Sequence, residues 1–448
     1  MLTIEIEPVA VNSVDRHLTF RMLEDRLREA SSDALSCLLN AALDDEVTLA
    51  LGREHRSSRE SSGTAQLPWA CGRCGTSLAR DFERDGHYSR QLQTMRSSVD
   101  GLQVPMLECK VCGGSAAIEF GALAKHQQLW LDVDGETLFA YGTEEGFRHI
   151  ADRVGRALGW PVSASSIQRR VHRLGSSLEA WRHEPIADPP DALMVDGLWF
   201  TAVLPTQERF TDALGRKRSK TRRVKRVALV VLGLWAKTGR QEILDFEIAD
   251  SEDEATVVRL LNRVHERGAT EAHVKLIGSD GSDGIITAIE TVYPTVVRQR
   301  CIVHKLKNIW GHVRDRENRP ALMGAAAKIY EATDLTQAQS RRDAWVAEWL
   351  ATETEAVACL VTDFEATVGY LNAAGLNNPH RFRTINAIEG GAMRPLRKKV
   401  DHATAFHSHT GPEVTLFLCA RRLNARQHQR PWSHEAMDLL QRHTQTNP

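Results

Sequence analysis

Three β-rich runs joined by short connections, "LMVDGLWFTAVL", "KRVALVVLGLWA" and "QEILDFEIAD", constrain this chain more than anything else in it. Their spacing reads as an antiparallel meander. In the next segment, "SEDEATVVRLLNRVHERG", Val257, Leu260, Leu261 and Val264 recur at helical spacing behind an acidic first turn. A strand "HVKLIGS", a helix ending at Pro294 and a strand-like "TVVRQRCIV" complete the series. The order βββαβαβ is that of an α/β ribonuclease-H-like fold, a mixed sheet with helices on both faces. Residues 308–380 are helical in pattern, with Asn318 and Pro320 suited to a helix start. They read as an all-α insertion, which divides the core into 190–307 and 381–432.

At 448 residues the chain is too long for one ordinary core, and more than one domain is expected. Residues 14–54 favour helix, within an N-terminal helical segment 1–60, and polar "SSRESSGTAQ" reads as a linker. A cysteine-bearing module follows at 67–142, a helix pair at 143–181, a Pro-containing hinge at 182–192, and a C-terminal tail at 433–448. With 42% hydrophobic and 26% charged residues the composition is that of a soluble globular protein. No run of eighteen apolar residues and no basic-then-apolar leader is present, so neither a membrane span nor a secretory signal is expected. The location expected by default is cytoplasmic.

Cys71-Gly-Arg-Cys74 and Cys109-Lys-Val-Cys112 are two C-x2-C knuckles with 34 residues between them. Each spacing lets two thiolates grip one tetrahedral ion, and a structural Zn2+ ribbon is expected. Disulfides or a redox pair are the alternatives. The long separation implies a hairpin insertion around 81–104.

Ahead of the meander, Phe147, Ile150, Val154 and Leu158 form one apolar stripe, and Gly159 to Pro161 break the helix. Ser163 suits the cap of a second helix with Ile167, Val171 and Leu174 inward and Gln168, Arg169, Arg170, His172 and Arg173 outward. That is the pattern of a helix-turn-helix, whose second helix enters the major groove; a plain helical hairpin is the bland alternative. Net charge is only −1, yet "GRKRSKTRRVKR" packs eight basic residues into twelve positions, among them Arg216, Lys217, Arg218, Lys220, Arg222 and Arg223. A second cluster is "RPLRKKV". Such runs are solvated faces or phosphate-binding footprints.

Three carboxylates stand out. Asp196 lies within an apolar strand, where a charge needs a partner, a cation or an exit to solvent. Asp280 ends the fourth strand, next to the first in this topology. Glu389 falls on an expected helix with Thr384 or Asn386 as its cap. Three carboxylates from separate elements of such a sheet suit two Mg2+ ions about 4 Å apart, or Mn2+ in their place. Asp283, three residues after Asp280, follows a capping Ser282 and suits the positive end of a helix instead. Gly390 and Gly391 weaken the helix at Glu389 by about 1 kcal/mol each, and would let a DNA backbone come close.

"SDGSDGIITAIETVYPTVVRQRCIVHKLKNI" resembles the Ser-Asp-Gly, Ala-Ile, Pro, Gln-x-Cys, x-x-His and Asn pattern of Mutator-type bacterial DDE transposases. "RTINAIEGG" is similar to their Thr-x-Asn-x-Ile-Glu segment, and "VDGLW" to their first-aspartate strand. The resemblance covers roughly 190–432. It implies a ribonuclease-H-like catalytic core with the triad Asp196, Asp280 and Glu389, and matches Cys301 and His304 to a C-x2-H signature. His304 is expected beside the active site, with Cys301 packed beneath it. It further implies a DNA transposase that binds double-stranded DNA, both the terminal inverted repeats of its element and target DNA. The enzyme would cut at the 3′ ends and join them by Mg2+-dependent transesterification. Paired ends call for a homodimer or larger assembly. A structure-specific nuclease of the same fold and a non-catalytic DNA-binding regulator are the competing readings.

Overall fold

The computed structural model describes residues 16–446, apart from positions 55, 63, 68, 96–97, 117–119, 121–122, 124–127, 144, 403–405, 407 and 409. It divides into two compact units, residues 1–173 with 436–448, and residues 174–435. The first residues of the expected N-terminal helix, 14 and 15, lie outside the described residues.

In the first unit, helix α1 (Arg16–Leu51) presents Leu39, Leu43, Val47 and Leu51 to a hairpin of β1 (Phe82–Gln93) and β2 (Ser98–Cys109). Phe82, Leu92, Val99, Leu102 and Leu107 complete that core, each fully buried. The short β3 (Gly114–Ala116) adds a third antiparallel strand. The N-terminal helix and the cysteine module therefore share one core, against the expectation of separate segments. Without α1 the apolar face of the hairpin would lie in water. Nor is the polar stretch between them a free linker, since Ser62 is buried and its Oγ accepts from buried Arg53 at 2.9 Å.

The expected helix pair is a group of three. Helix α2 (Leu131–Gly142), read as part of the cysteine module, packs with α3 (Phe147–Leu158) and α4 (Ala164–His172). Tyr141 stacks on Phe147 with ring centroids 4.7 Å apart.

The second unit opens with α5 (Gly175–Arg182), and its sheet is built from β4 (Ala192–Thr211), β5 (Lys217–Leu234), β6 (Gln241–Ala249), β7 (Leu276–Ser279) and β8 (Val297–Arg300). Spatial order is β6-β5-β4-β7-β8, the first three strands antiparallel and β4, β7 and β8 parallel. Helices α6 (Glu254–Glu266) and α7 (Asp283–Val292) cover one face, burying Val257, Leu260, Leu261, Val264, Ile285 and Ile289 against Leu193, Val195, Val227, Leu229 and Val231. Each such side chain contributes about 1.5–3 kcal/mol. On the other face Trp181 of α5 meets Phe246 and Phe417. Burial on both faces explains why β5 reads as a continuous apolar run rather than an alternating one. Asp245 of β6 is fully buried, and its charge is met by Arg263 Nε at 2.8 Å and the backbone N–H of Phe246 at 2.7 Å.

Both edges of this sheet are covered. On β6, Asn424 Oδ1 accepts from Ile243 N at 2.9 Å while its Nδ2 donates to Ile243 O at 2.8 Å. On β8, Gln299 donates to Thr367 O at 3.0 Å and accepts from Tyr370 N at 2.8 Å.

After β8 the chain enters the helical region: α8 (Ile302–His312), α9 (Arg319–Ile329), α10 (Leu335–Trp349), α11 (Thr354–Val361) and α12 (Phe364–Thr367). Its core includes Ile302 and Ile309, so the insertion begins with α8 and not within it at residue 308. Asn318 sits at the start of α9, but its side chain donates to buried Glu353 at 3.2 Å rather than capping. Glu353 also accepts the N–H groups of Arg314 and Asp315. Three helices close the chain, α13 (Arg394–His402), α14 (Thr410–Gln427) and α15 (Trp432–Thr446). The expected tail is thus helical, because Trp432, Ala436, Leu439 and Leu440 are buried at helical spacing. No described helix is long and apolar enough to cross a membrane.

Candidate functional site

The site forms where the parallel strands end. Asp196 pairs across the sheet with Val230 and so points away from the α6–α7 face, and β7 runs beside β4 only as far as Met194 and Gly278. Asp280 follows the last residue of β7, and its Oδ1 accepts the N–H of Ser282 at 3.0 Å. Ser282 occupies the position before α7 but makes no side-chain cap, contrary to expectation, and its own N–H is held by Asp280. Asp283 is exposed in the first turn. Gly281 makes the turn possible: φ is +98°, and a Cβ there would run into Arg300 Nε.

Burial pushes Asp196 up to about 7 from an ordinary 3.8, the charges of Asp280 and Glu389 add to the rise, and the N–H of Gly197 at 2.9 Å opposes it. Three carboxylates from three separate elements thus act on one another across a partly buried space. They stand apart: among the described residues only the four cysteines gather three or more ligand atoms within 4.8 Å.

Glu389 rides on a π-helix, Ala387–Met393, not on the expected α-helix. Asn386 precedes it without a side-chain cap, and the N–H of Arg394 reaches back five residues to Glu389 O. Widening the turn seats Ile388, Ala392 and Met393 in the core while Glu389 stays 40% exposed. Gly391 lies against Gln241, where a Cβ would sit 2.8 Å from Oε1, and Gly390 faces open space. His304 of α8 places Nε2 3.6 Å from Glu389 Oε1. Its pKa is raised by neighbouring Cys301 and, more weakly, by Glu389 and Asp280, while burial works against them. Fully buried Cys301 accepts the N–H of Ile385 at 3.5 Å, and its own N–H donates to Ser279 O at 2.8 Å. It stitches the Asp280 turn to the Glu389 segment.

Beyond the sheet, β4 and β5 continue as a two-stranded ribbon to a tip at 212–216. Asp212 accepts from the backbone N–H of Arg216 at 2.9 Å, Arg218 Nε at 2.7 Å and Arg216 Nε at 2.9 Å, which in that order hold its carboxyl down at about 2. Lys220 pairs with Glu208 at 2.9 Å. Lys217, Arg222 and Arg223 are exposed and have no ion-pair partner among the described residues. In the helix group, Ser163 Oγ accepts from Ser166 N at 3.1 Å, and Arg169 and Arg173 are exposed. Arg170 is drawn off the outward face by an ion pair with Asp134 of α2. His172 lies half-buried against Phe147. Local periodicity carried no sign of these ion pairs, nor of Glu252, which accepts from exposed Trp199 Nε1 at 2.9 Å beside the site.

The four cysteines test well as a metal centre. Sγ of Cys71 is 3.7 Å from that of Cys112, and Sγ of Cys74 is 3.6 Å from that of Cys109. A tetrahedron with Zn–S of about 2.3 Å has edges of about 3.8 Å. The two knuckles fold alike, Gly75 N donating to Cys71 O and Gly113 N to Cys109 O, with φ of +78° and +65°. The N–H groups of Arg73 and Cys74 pull the Cys71 thiol down to about 6, while Cys74, against the N–H of Thr76, is pushed up to about 12 by burial and the neighbouring thiols, so the first proton leaves the cluster from Cys71.

A family model described as "Transposase, Mutator family" matches residues 70–411. The chain is 24% identical over 266 residues to the transposase for insertion sequence element IS905 of Lactococcus lactis, covering 59% of this chain and 61% of that protein. It is 25% identical over 307 residues to the transposase for ISRM5 of Rhizobium meliloti, covering 68% and 70% respectively. The alignments therefore span about three fifths to seven tenths of these relatives. A solved Drosophila P element transposase strand transfer complex aligns with 75% of this chain and 83% of that one, at 11% identity and a TM-score of 0.27, which carries no argument about fold.

Proposed function

The chain belongs to the Mutator family of transposases, and from that premise we propose that it is a DDE transposase of an insertion sequence, cutting DNA at the ends of its element and joining those ends to a target. The single observation that carries this is that Asp280, at a strand end, and Glu389, on a π-helix, stand near enough to Asp196 of β4 for their charges to act on its carboxyl. The order β6-β5-β4-β7-β8, with a helical insertion before the third carboxylate, supports a ribonuclease-H-like reading of the core.

Asp196, Asp280 and Glu389 are the residues that would hold two Mg2+ ions. When bound, those ions supply activation of the attacking water or 3′ hydroxyl and neutralise the leaving oxygen. The chain's own part is positional. Asp196 must give up the proton that burial favours before it can serve as a ligand. His304 orients the Glu389 carboxylate, and Cys301 keeps the two acidic segments in register. Lys217, Arg222 and Arg223 hold backbone phosphates along the ribbon, while Arg169 and Arg173 of the helix-turn-helix contact the element end. The zinc ribbon is a structural support for that unit, and a dimer or larger assembly brings two ends together.

The test uses duplexes spanning the junctions between element and flanking DNA, with Mg2+ and a target plasmid. The parent is expected to nick the junction and yield products longer than the input; Asp280→Asn and Glu389→Gln are expected to do neither while still binding. Cleavage without longer products would make the chain a nuclease. Equal cleavage by parent and Asp280→Asn would remove the triad.

A further inference from the structure

Trp199 lies three residues beyond Asp196 on β4 and is 45% exposed, although most of its strand neighbours nearer the core are buried. It points to the side opposite Asp196, at the rim where β4 has left β7 behind. Glu252 accepts its indole N–H at 2.9 Å, which fixes the edge of the ring while nearly half of the residue stays open to solvent. The same Glu252 packs closely on Gly197, where any Cβ would collide with its carboxylate, and its carbonyl oxygen excludes a Cβ at Gly284 in the first turn of α7. One residue therefore ties Trp199 both to the neighbour of Asp196 and to the helix that follows Asp280. Further along the ribbon, on the Trp199 side by alternation, Lys225 stands opposite Thr201 and Arg223 opposite Val203, both cations exposed.

A lone surface aromatic is ordinary. One held by its edge, on the strand that carries Asp196, tied through Glu252 to the helix after Asp280 and in line with two exposed cations, matches the parts list of a single-strand binding site: a ring face for a base and positive charge for the backbone. A base inside a duplex has both faces occupied by its neighbours, so only a base taken out of the stack can use such a ring. We infer that Trp199 is the stacking platform for an unpaired nucleobase next to the scissile phosphate, with Lys225 and Arg223 receiving the phosphates of the same strand. The inference rests on the transposase reading above.

The experiment couples a protein change to a DNA change. Junction duplexes are made intact, or with one abasic nucleotide at each of the three positions on either side of the cut, and cleavage by the full chain in Mg2+ is timed. Removing the ring in Trp199→Ala is expected to slow cleavage of intact DNA about 5- to 100-fold, while Trp199→Phe, which keeps a ring, stays within about threefold. At one position the abasic nucleotide is expected to slow the parent by a similar factor and to slow Trp199→Ala no further. 2-Aminopurine placed there should be quenched by the parent and bright with Trp199→Ala. Parental rates in Trp199→Ala, or losses from protein and DNA changes that multiply at every position, would overturn the platform. If Trp199→Ala unfolds, Trp199→Leu against Trp199→Phe carries the same comparison. A parent that cuts no junction duplex would instead sink the transposase reading, and this inference with it.

Discussion

In magnesium-free solution, replacing Asp196 with Asn should make the fold more stable than the parent at pH 8 and equally stable at pH 4. The parent's folded pKa is about 7 against an ordinary 3.8, raised first by burial and then by Asp280 and Glu389. Below about pH 4 the carboxyl is protonated in both folded and unfolded chains, and its contribution is fully present. As pH rises towards 7 the folded chain retains a proton that the unfolded chain has lost, and stability falls by up to about 1.4 kcal/mol per pH unit. Above 7 the loss is complete, at about 4 kcal/mol. Asn carries no charge and shows no such slope. The assay is urea unfolding at pH 4, 6 and 8, read as the difference between variant and parent so that other titrating groups cancel. An increase of about 1–2 M in midpoint is expected for the variant at pH 8. Mg2+ should close the gap by stabilising the parent alone, and more strongly at pH 8 than at pH 6, because the ion competes with the proton. A difference independent of pH, or a variant less stable at pH 8, would refute the reasoning.

Other consequences can be checked more briefly. Cys109→Ser should take bound zinc from one ion per chain to none by elemental analysis, and expose the β1–β2 module to protease. Asp245→Asn leaves Arg263 with Glu247 as its charged partner and should lower the stability of the second unit by about 1.5–3 kcal/mol in urea. Joint loss of Arg222 and Arg223 to Ala should weaken DNA binding on any sequence and flatten its salt dependence by about one phosphate contact per arginine. Arg216→Ala should do less, since Asp212 already neutralises that guanidinium.

Much of the second unit was legible because its signals are local. Apolar runs marked β4 to β6, Val257 to Val264 marked a helix face, and a strand end followed by Asp-Gly marked the turn at Asp280. Contacts between distant segments were not legible. Nothing near residue 39 announces a hairpin more than forty positions on, yet the two share a core. Arg170 and Arg169 look alike in sequence, and only Asp134 on a third helix separates them. The Gly390–Gly391 pair hinted at an irregular helix at Glu389, but the π turn comes from seating Ile388 and Met393 together with it. Basic residues at 215–226 were counted without Asp212 and Glu208, which tie up half of those first singled out.

The clasp of Asn424 on Ile243 reproduces, with one side-chain amide, the pair of bonds another strand would offer. At the opposite border the side chain of Gln299 reaches out from β8 to Thr367 O and Tyr370 N and holds the Gly369–Leu371 turn, whose Gly369 packs on Arg298 O. An unsatisfied strand border is a ready template for pairing with another chain. A second chain therefore finds β6 engaged through Asn424 and β8 packed against the Gly369–Leu371 turn, which leaves the β4–β5 ribbon as the stretch of strand that runs beyond the cover of the sheet.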